Sequence, residues 1–164
     1  MKLDSLRELY VHELNDLHSA EDQILRALPR MARASSSPDL RLAFERHFDE
    51  TEEHIERLER VFSSIGEKPK RSVCKGMRGL LQESEDMVKE DGDPAVKDAG
   101  LIAAAQRVEH YEMAGYGCAR TYAEMLGEMD SAELLQKTLD EERMTDETLT
   151  GLAEGLINVE AAQA

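Results

Sequence analysis

GEKPKRSVCKGMRGLLQESEDMVKEDGD, residues 66–93, joins two pairs of much longer amphipathic stretches, and its length decides the fold. It opens on Gly66, a helix stop, and ends in Asp91-Gly92-Asp93, with Pro94 next, a break followed by a helix start. A loop with Pro69 runs from Glu67 to Arg71. Met77, Leu80, Leu81, Met87 and Val88 then repeat at helical spacing, so the segment carries a short helix of its own, from about Cys74 to Lys89.

Upstream, apolar residues recur at steps of three and four. The first long helix is predicted over 3–34, on Leu3, Leu6, Tyr10, Leu14, Leu17, Ile24, Leu28 and Met31. Asp4 or Ser5 caps it, and Pro29 is expected to kink its last turns. After the turn Ser35-Ser36-Ser37, with Pro38 at the first helical position, the second runs over 38–65 on Leu40, Phe44, Phe48, Ile55, Leu58, Phe62 and Ile65. Downstream, a third covers 94–126 on Ile102, Ala105, Val108, Met113, Tyr116, Ala119, Tyr122, Ala123 and Leu126, and ends at Gly127. The fourth covers 131–157 on Leu134, Leu135, Leu139, Leu149, Leu152 and Leu156.

A helix of about 28 residues is about 42 Å long. Short turns within each pair make antiparallel neighbours, whereas the link between pairs is long enough to travel the length of a bundle. The prediction is an all-α, ferritin-like four-helix bundle: two antiparallel hairpins joined by a long crossover that contains a short fifth helix. One domain covers 1–159, with a flexible tail over 160–164.

Composition narrows the function. The chain has 164 residues, 20 Lys+Arg against 35 Asp+Glu, and a net charge of −15. No basic cluster is present to displace counterions, so nucleic acid is excluded, and the acidity disfavours an anionic membrane surface. No apolar run approaches the roughly 18 residues that span a bilayer. The acidic start MKLDSLRELYVHEL resembles neither a secretory signal nor a transit peptide, so a cytoplasmic protein is expected. Cys74 and Cys118 form no disulfide framework and no metal clamp.

The core stripes are interrupted by acids. The steps from Leu17 to Ile24 pass through Glu21, and those from Phe48 to Leu58 pass through Glu50 and His54. Glu109 and Glu112 lie between Ala105 and Tyr116, and Glu142 and Asp146 between Leu139 and Leu149. Counted along its helix, each set falls near mid-bundle: Glu21 about 18 residues in, Glu50 and His54 about 12 and 16, Glu109 and Glu112 about 15 and 18, Glu142 and Asp146 about 11 and 15. Buried carboxylates at one level repel each other and are costly unless paired or bound to cations. Oxygen-rich ligands with one or two imidazoles suit iron, with manganese the alternative. The candidate ligands are therefore Glu21, Glu50, His54, Glu109, Glu112, Glu142 and Asp146. His110 and Tyr116 are candidate outer partners of those carboxylates. His47, two turns before His54, is read as a packing or outer residue, and His12 and His18 as surface residues.

Four stretches, DLHSAEDQILRALPRMA (16–32), HFDETEEHIERLERVF (47–62), LIAAAQRVEHYEMAGYG (101–117) and LLQKTLDEERMTDETL (134–149), resemble the signature segments of the YciE/YciF family of bacterial stress-associated proteins. The resemblance implies a ferritin-like bundle, usually dimeric, related to rubrerythrins and other di-iron carboxylate proteins. Such sites take Glu from the first helix, Glu-x-x-His from the second, Glu-x-x-Glu from the third and Glu-x-x-His from the fourth. Glu21, Glu109 and Glu112 fit that pattern, but Thr51 stands three before His54, and Thr145 stands three after Glu142.

Two functions follow as expectations. One is a di-metal protein of the stress response working on O2 or H2O2, with Glu50 and Glu112 bridging and an electron donor supplied by another molecule, since no CxxC pair is present. The other is a non-enzymatic dimeric bundle whose acidic seam is a remnant of such a site.

Overall fold

Serine, proline and aspartate set where the helices begin. In the computed structural model, which describes residues 4–164, α1 spans Leu6–Ala34, capped by Ser5, whose side chain accepts from the Glu8 amide. The predicted start at Leu3 lies outside the described residues. α1 continues through Pro29. α2 spans Pro38–Ser64, capped by Ser37. The long helix α4 spans Pro94–Met125, where Asp93 accepts from the amides of Ala95 and Val96. Gly66 and Gly127 adopt φ of 73° and 78°, the left-handed geometry that lets the chain leave α2 and α4.

The crossover helix α3 spans Lys75–Lys89. It is fastened by side chains one turn apart on α1. Asn15 accepts from the Lys70 amide at 2.6 Å, Ser19 accepts from the Cys74 amide at 2.9 Å, and Gln23 donates to the Cys74 carbonyl at 3.2 Å. The Cys74 sulfur caps α3 by accepting from the Met77 amide. Tyr111 of α4 donates to Asp16 at 2.7 Å, closing the seat from the other side.

α5 spans Met129–Leu152 and passes through a π-helical turn, Ala153–Ile157, into the short α6, Asn158–Ala161. The fourth helix departs from its predicted stripe at Leu156. The wider turn shifts the register, so Ile157 is buried while Leu156 is exposed. Helical structure also enters the segment read as a tail.

α1 packs on α2 and α4 on α5; α2 also meets α5, and α1 meets α4, closing a four-helix ring with α3 lying against α1 and α4. The described elements are all helical, as predicted. The core has two apolar parts. One gathers Ile24, Leu28, Phe44, Leu101 and Leu149; the other gathers Tyr10, Leu14, Leu58, Phe62, Tyr116 and Leu135. Between them lies a layer that is not apolar.

Candidate metal centre

That layer is built by helical register. On α2 the inward face steps through Phe44, His47, Thr51, His54 and Leu58, all buried. On α1 the same level brings Glu21, on α4 Glu109 and Glu112, and on α5 Glu142, each buried.

Two groups of ligand atoms form, each with all its atoms within 4.8 Å of one another: Glu21, His54 and Glu142, and His47, Glu109, Glu112 and Glu142. Glu142 belongs to both. Its Oε1 lies 2.9 Å from His54 Nδ1, and its Oε2 lies 3.9 Å from His47 Nε2. Glu21 Oε1 is 3.4 Å from His54 Nδ1, and Glu109 Oε1 is 3.5 Å from His47 Nε2.

Six carboxylate oxygens in this layer make no hydrogen bond, one each of Glu21 and Glu109 and both of Glu112 and of Glu142, although Glu142 meets His54 and His47 in ion-pair contacts. His47 Nε2 and His54 Nδ1 likewise make no hydrogen bond and meet the carboxylates only in ion-pair contacts. Native interiors rarely leave polar atoms so, because each costs about 1–3 kcal/mol and charged groups more. Carboxylate oxygens that outnumber the hydrogen bonds around them fit cations, and this buried Glu/His layer can hold a metal ion.

Protonation carries the strain where no cation does. Burial, then the neighbouring Glu142, lifts Glu109 well above the usual carboxylate range; burial, then Glu142 and Glu21, does the same for Glu112. Burial opposes ionising Glu142 too, but His54 and His47 outweigh it and lower its pKa. Burial likewise opposes the His54 imidazolium, yet Glu21, Glu141 and Glu142 push its pKa up to about 12. Tyr116 donates a short hydrogen bond to Glu21.

Glu50, Asp146 and His110 stand apart from the buried groups. Glu50 follows the outer flank of α2; its side chain is 24% exposed, bonded to Arg46 at 2.9 Å and 3.8 Å from His47. The register explains it: Thr51, not Glu50, shares the inward face with His54. Asp146 accepts from Gln106 at 3.0 Å and is 20% exposed. His110 reaches Asp146 at 3.4 Å from a side chain 66% exposed. His18, expected at the surface, packs its ring edge-on to Phe62.

His47, expected as a packing or outer residue, lies among the candidate ligands. Its Nδ1 lies 3.5 Å from the hydroxyl of Thr145, the residue three beyond Glu142. His47 of α2 thus stands beside α5 at Thr145. The signal was present in the seven-residue spacing between His47 and His54, two turns on one face. A groove of about 230 Å³ between α2 and α5 is lined by Arg46, Glu50, Glu141 and Thr145, beside this edge of the layer. A larger cleft of about 460 Å³, along α1 and the crossover, contains no residue of the layer.

The architecture and its buried centre define a class: ferritin-like helical bundles able to hold metal in a carboxylate–imidazole layer. Residues 5–162 match the family described as a domain of unknown function, DUF892, and the chain belongs to it. It is 44% identical over 162 residues to protein YciF of Escherichia coli K12, covering 98% of each chain. The crystal structure of the E. coli stress protein YciF aligns with a TM-score of 0.92 over 95% of this chain and 99% of that one, at 44% identity. YcfI of Rhodopseudomonas palustris, whose description suggests a structural protein, aligns with a TM-score of 0.87 at 38% identity, over 92% and 97% of the two chains. A Xanthomonas campestris protein shares the fold at 20% identity, with a TM-score of 0.76 over 98% of this chain and 100% of that one. The resemblance carried by the four quoted stretches therefore holds across the chain. Among the described residues no helix is long and apolar enough to cross a membrane.

Proposed function

We propose that this protein is a di-metal carboxylate protein of the stress response, working on O2 or H2O2 as a cytoplasmic homodimer. Iron is the first choice of metal and manganese the second. The observation that carries the reading is the set of six buried carboxylate oxygens, none of them hydrogen-bonded, that face two imidazoles in one layer. Glu21, His54 and Glu142 would hold one ion, and His47, Glu109, Glu112 and Glu142 the other, with Glu142 shared. Such a pair supplies one-electron steps to an oxygen ligand.

The chain's own residues do the rest. The apolar parts of the core above and below the layer keep water from running along the bundle axis. Tyr116 orients Glu21 by donating to it. Glu109 and Glu112 hold protons that must leave when a cation arrives. Electrons come from another protein or a small reductant.

Metal analysis after iron(II) addition tests the reading. About two ions per chain, with consumption of O2 or peroxide, is the expected result; no uptake under anaerobic iron(II) contradicts it.

A second reading, a non-enzymatic structural bundle, is favoured by the description of the R. palustris relative. The two separate on Glu112→Leu. An unoccupied layer gains about 1–4 kcal/mol from that change, whereas a loaded one loses stability.

A further inference from the structure

Two consecutive acids on α5 meet opposite edges of one imidazole. Residues i and i+1 on a helix point about 100° apart. Glu142 therefore reaches His54 Nδ1 at 2.9 Å from within the layer, while Glu141 reaches His54 Nε2 at 3.0 Å from its outer side. Glu141 is not a loose surface acid. Arg57, one turn along α2 from His54 and itself buried, grips it with both terminal nitrogens; the Nη2 contact is 3.1 Å. The guanidinium is fixed in turn by Thr138 at 3.1 Å and by Glu53 at 2.8 Å. A planar fork on a carboxylate sets orientation as well as distance.

We propose that Glu141, clamped by Arg57, is the positioning residue that holds the His54 ring with Nε2–H outward and Nδ1 aimed into the buried centre. The inference rests on the di-metal reading for its consequence but not for its geometry. An imidazole binds metal through one nitrogen, and the partner of the other nitrogen selects which. With Nε2–H donated to Glu141, only Nδ1 remains for the group formed with Glu21 and Glu142. Without Glu141 the ring is free to flip or tilt, and that ligand group loses its only imidazole.

Two measurements test this. In the metal-free protein, 15N-labelled histidine NMR should show a slowly exchanging Nε2–H resonance for His54. Glu141→Ala should abolish it, and Glu141→Gln, whose amide oxygen still accepts, should retain it. In Co(II) titrations, Glu141→Ala should weaken binding about 10–100-fold. Glu141→Gln should recover most of that loss, and Arg57→Lys should fall between. An unchanged resonance in Glu141→Ala, or binding within twofold of wild type, overturns the assignment. A wild-type chain that takes no Co(II) overturns the di-metal reading, and the metal-free NMR comparison then decides the role of Glu141 alone.

Discussion

Glu142 is the residue on which the centre turns, because its two oxygens face different imidazoles. Glu142→Ala should remove both ions, measured as metal per chain after desalting, while Glu50→Ala should keep them. Loss of metal in Glu50→Ala would instead return Glu50 to the ligand set. Position 50 also shows where the sequence stops short. An acid four residues from a histidine satisfies a helical face only coarsely; the register gives that face to Thr51, and Glu50 on the flank meets Arg46 at 2.9 Å. His47 differs in the opposite direction: its spacing of two turns from His54 gives the shared face, but not the contact with Thr145 of α5.

Protons make a second test at this scale. Glu109 and Glu112, raised by burial and neighbouring acids, stay protonated in the metal-free fold where the unfolded chain ionises near pH 4–5. The stability they contribute is full below that range and is lost as pH rises toward their folded values. His54, raised to about 12, acts in the same direction above its unfolded value of about 6.5. The lowered Glu141 and Glu142 lose their contribution only as pH falls below about 4.5. The Tm of the metal-free protein should therefore fall between about pH 5 and 9, while the increment from added Mn(II) or Co(II) should grow, because ligands shed protons to bind. A metal-free Tm that climbs over that range contradicts the assignment.

Among elements, the crossover helix has the most specific seat. The polar ladder Asn15, Ser19 and Gln23 holds its entry, and Tyr111 abuts its first turn. A Cβ at Gly76 would meet the Tyr111 ring at 2.7 Å. Gly76→Val should therefore displace Tyr111, break its bonds to Asp16 and Cys74, and cost about 1–3 kcal/mol in denaturant unfolding. An unchanged midpoint would mean that α3 is not seated this way. The existence and order of α1 to α5 could be read from periodicity, capping residues and glycine stops. The break in the last helix could not. Gly151 and Gly155 lower helix propensity there, but choosing a π turn over a continuous helix depends on burying both Ala153 and Ile157 against the fold.

For the whole molecule, a net charge of −15 and a carboxylate layer between two apolar masses favour cations over anions. The level at which the acids meet was legible from counting along helices, since antiparallel packing converts sequence distance into depth. The central claim is that the layer exists to hold a pair of ions. Anomalous diffraction at the iron edge, on crystals grown with iron(II), measures it most directly. Two peaks flanking Glu142, one beside His54 and one beside His47, are the predicted result; density confined to surface carboxylates, with the layer empty, would contradict it.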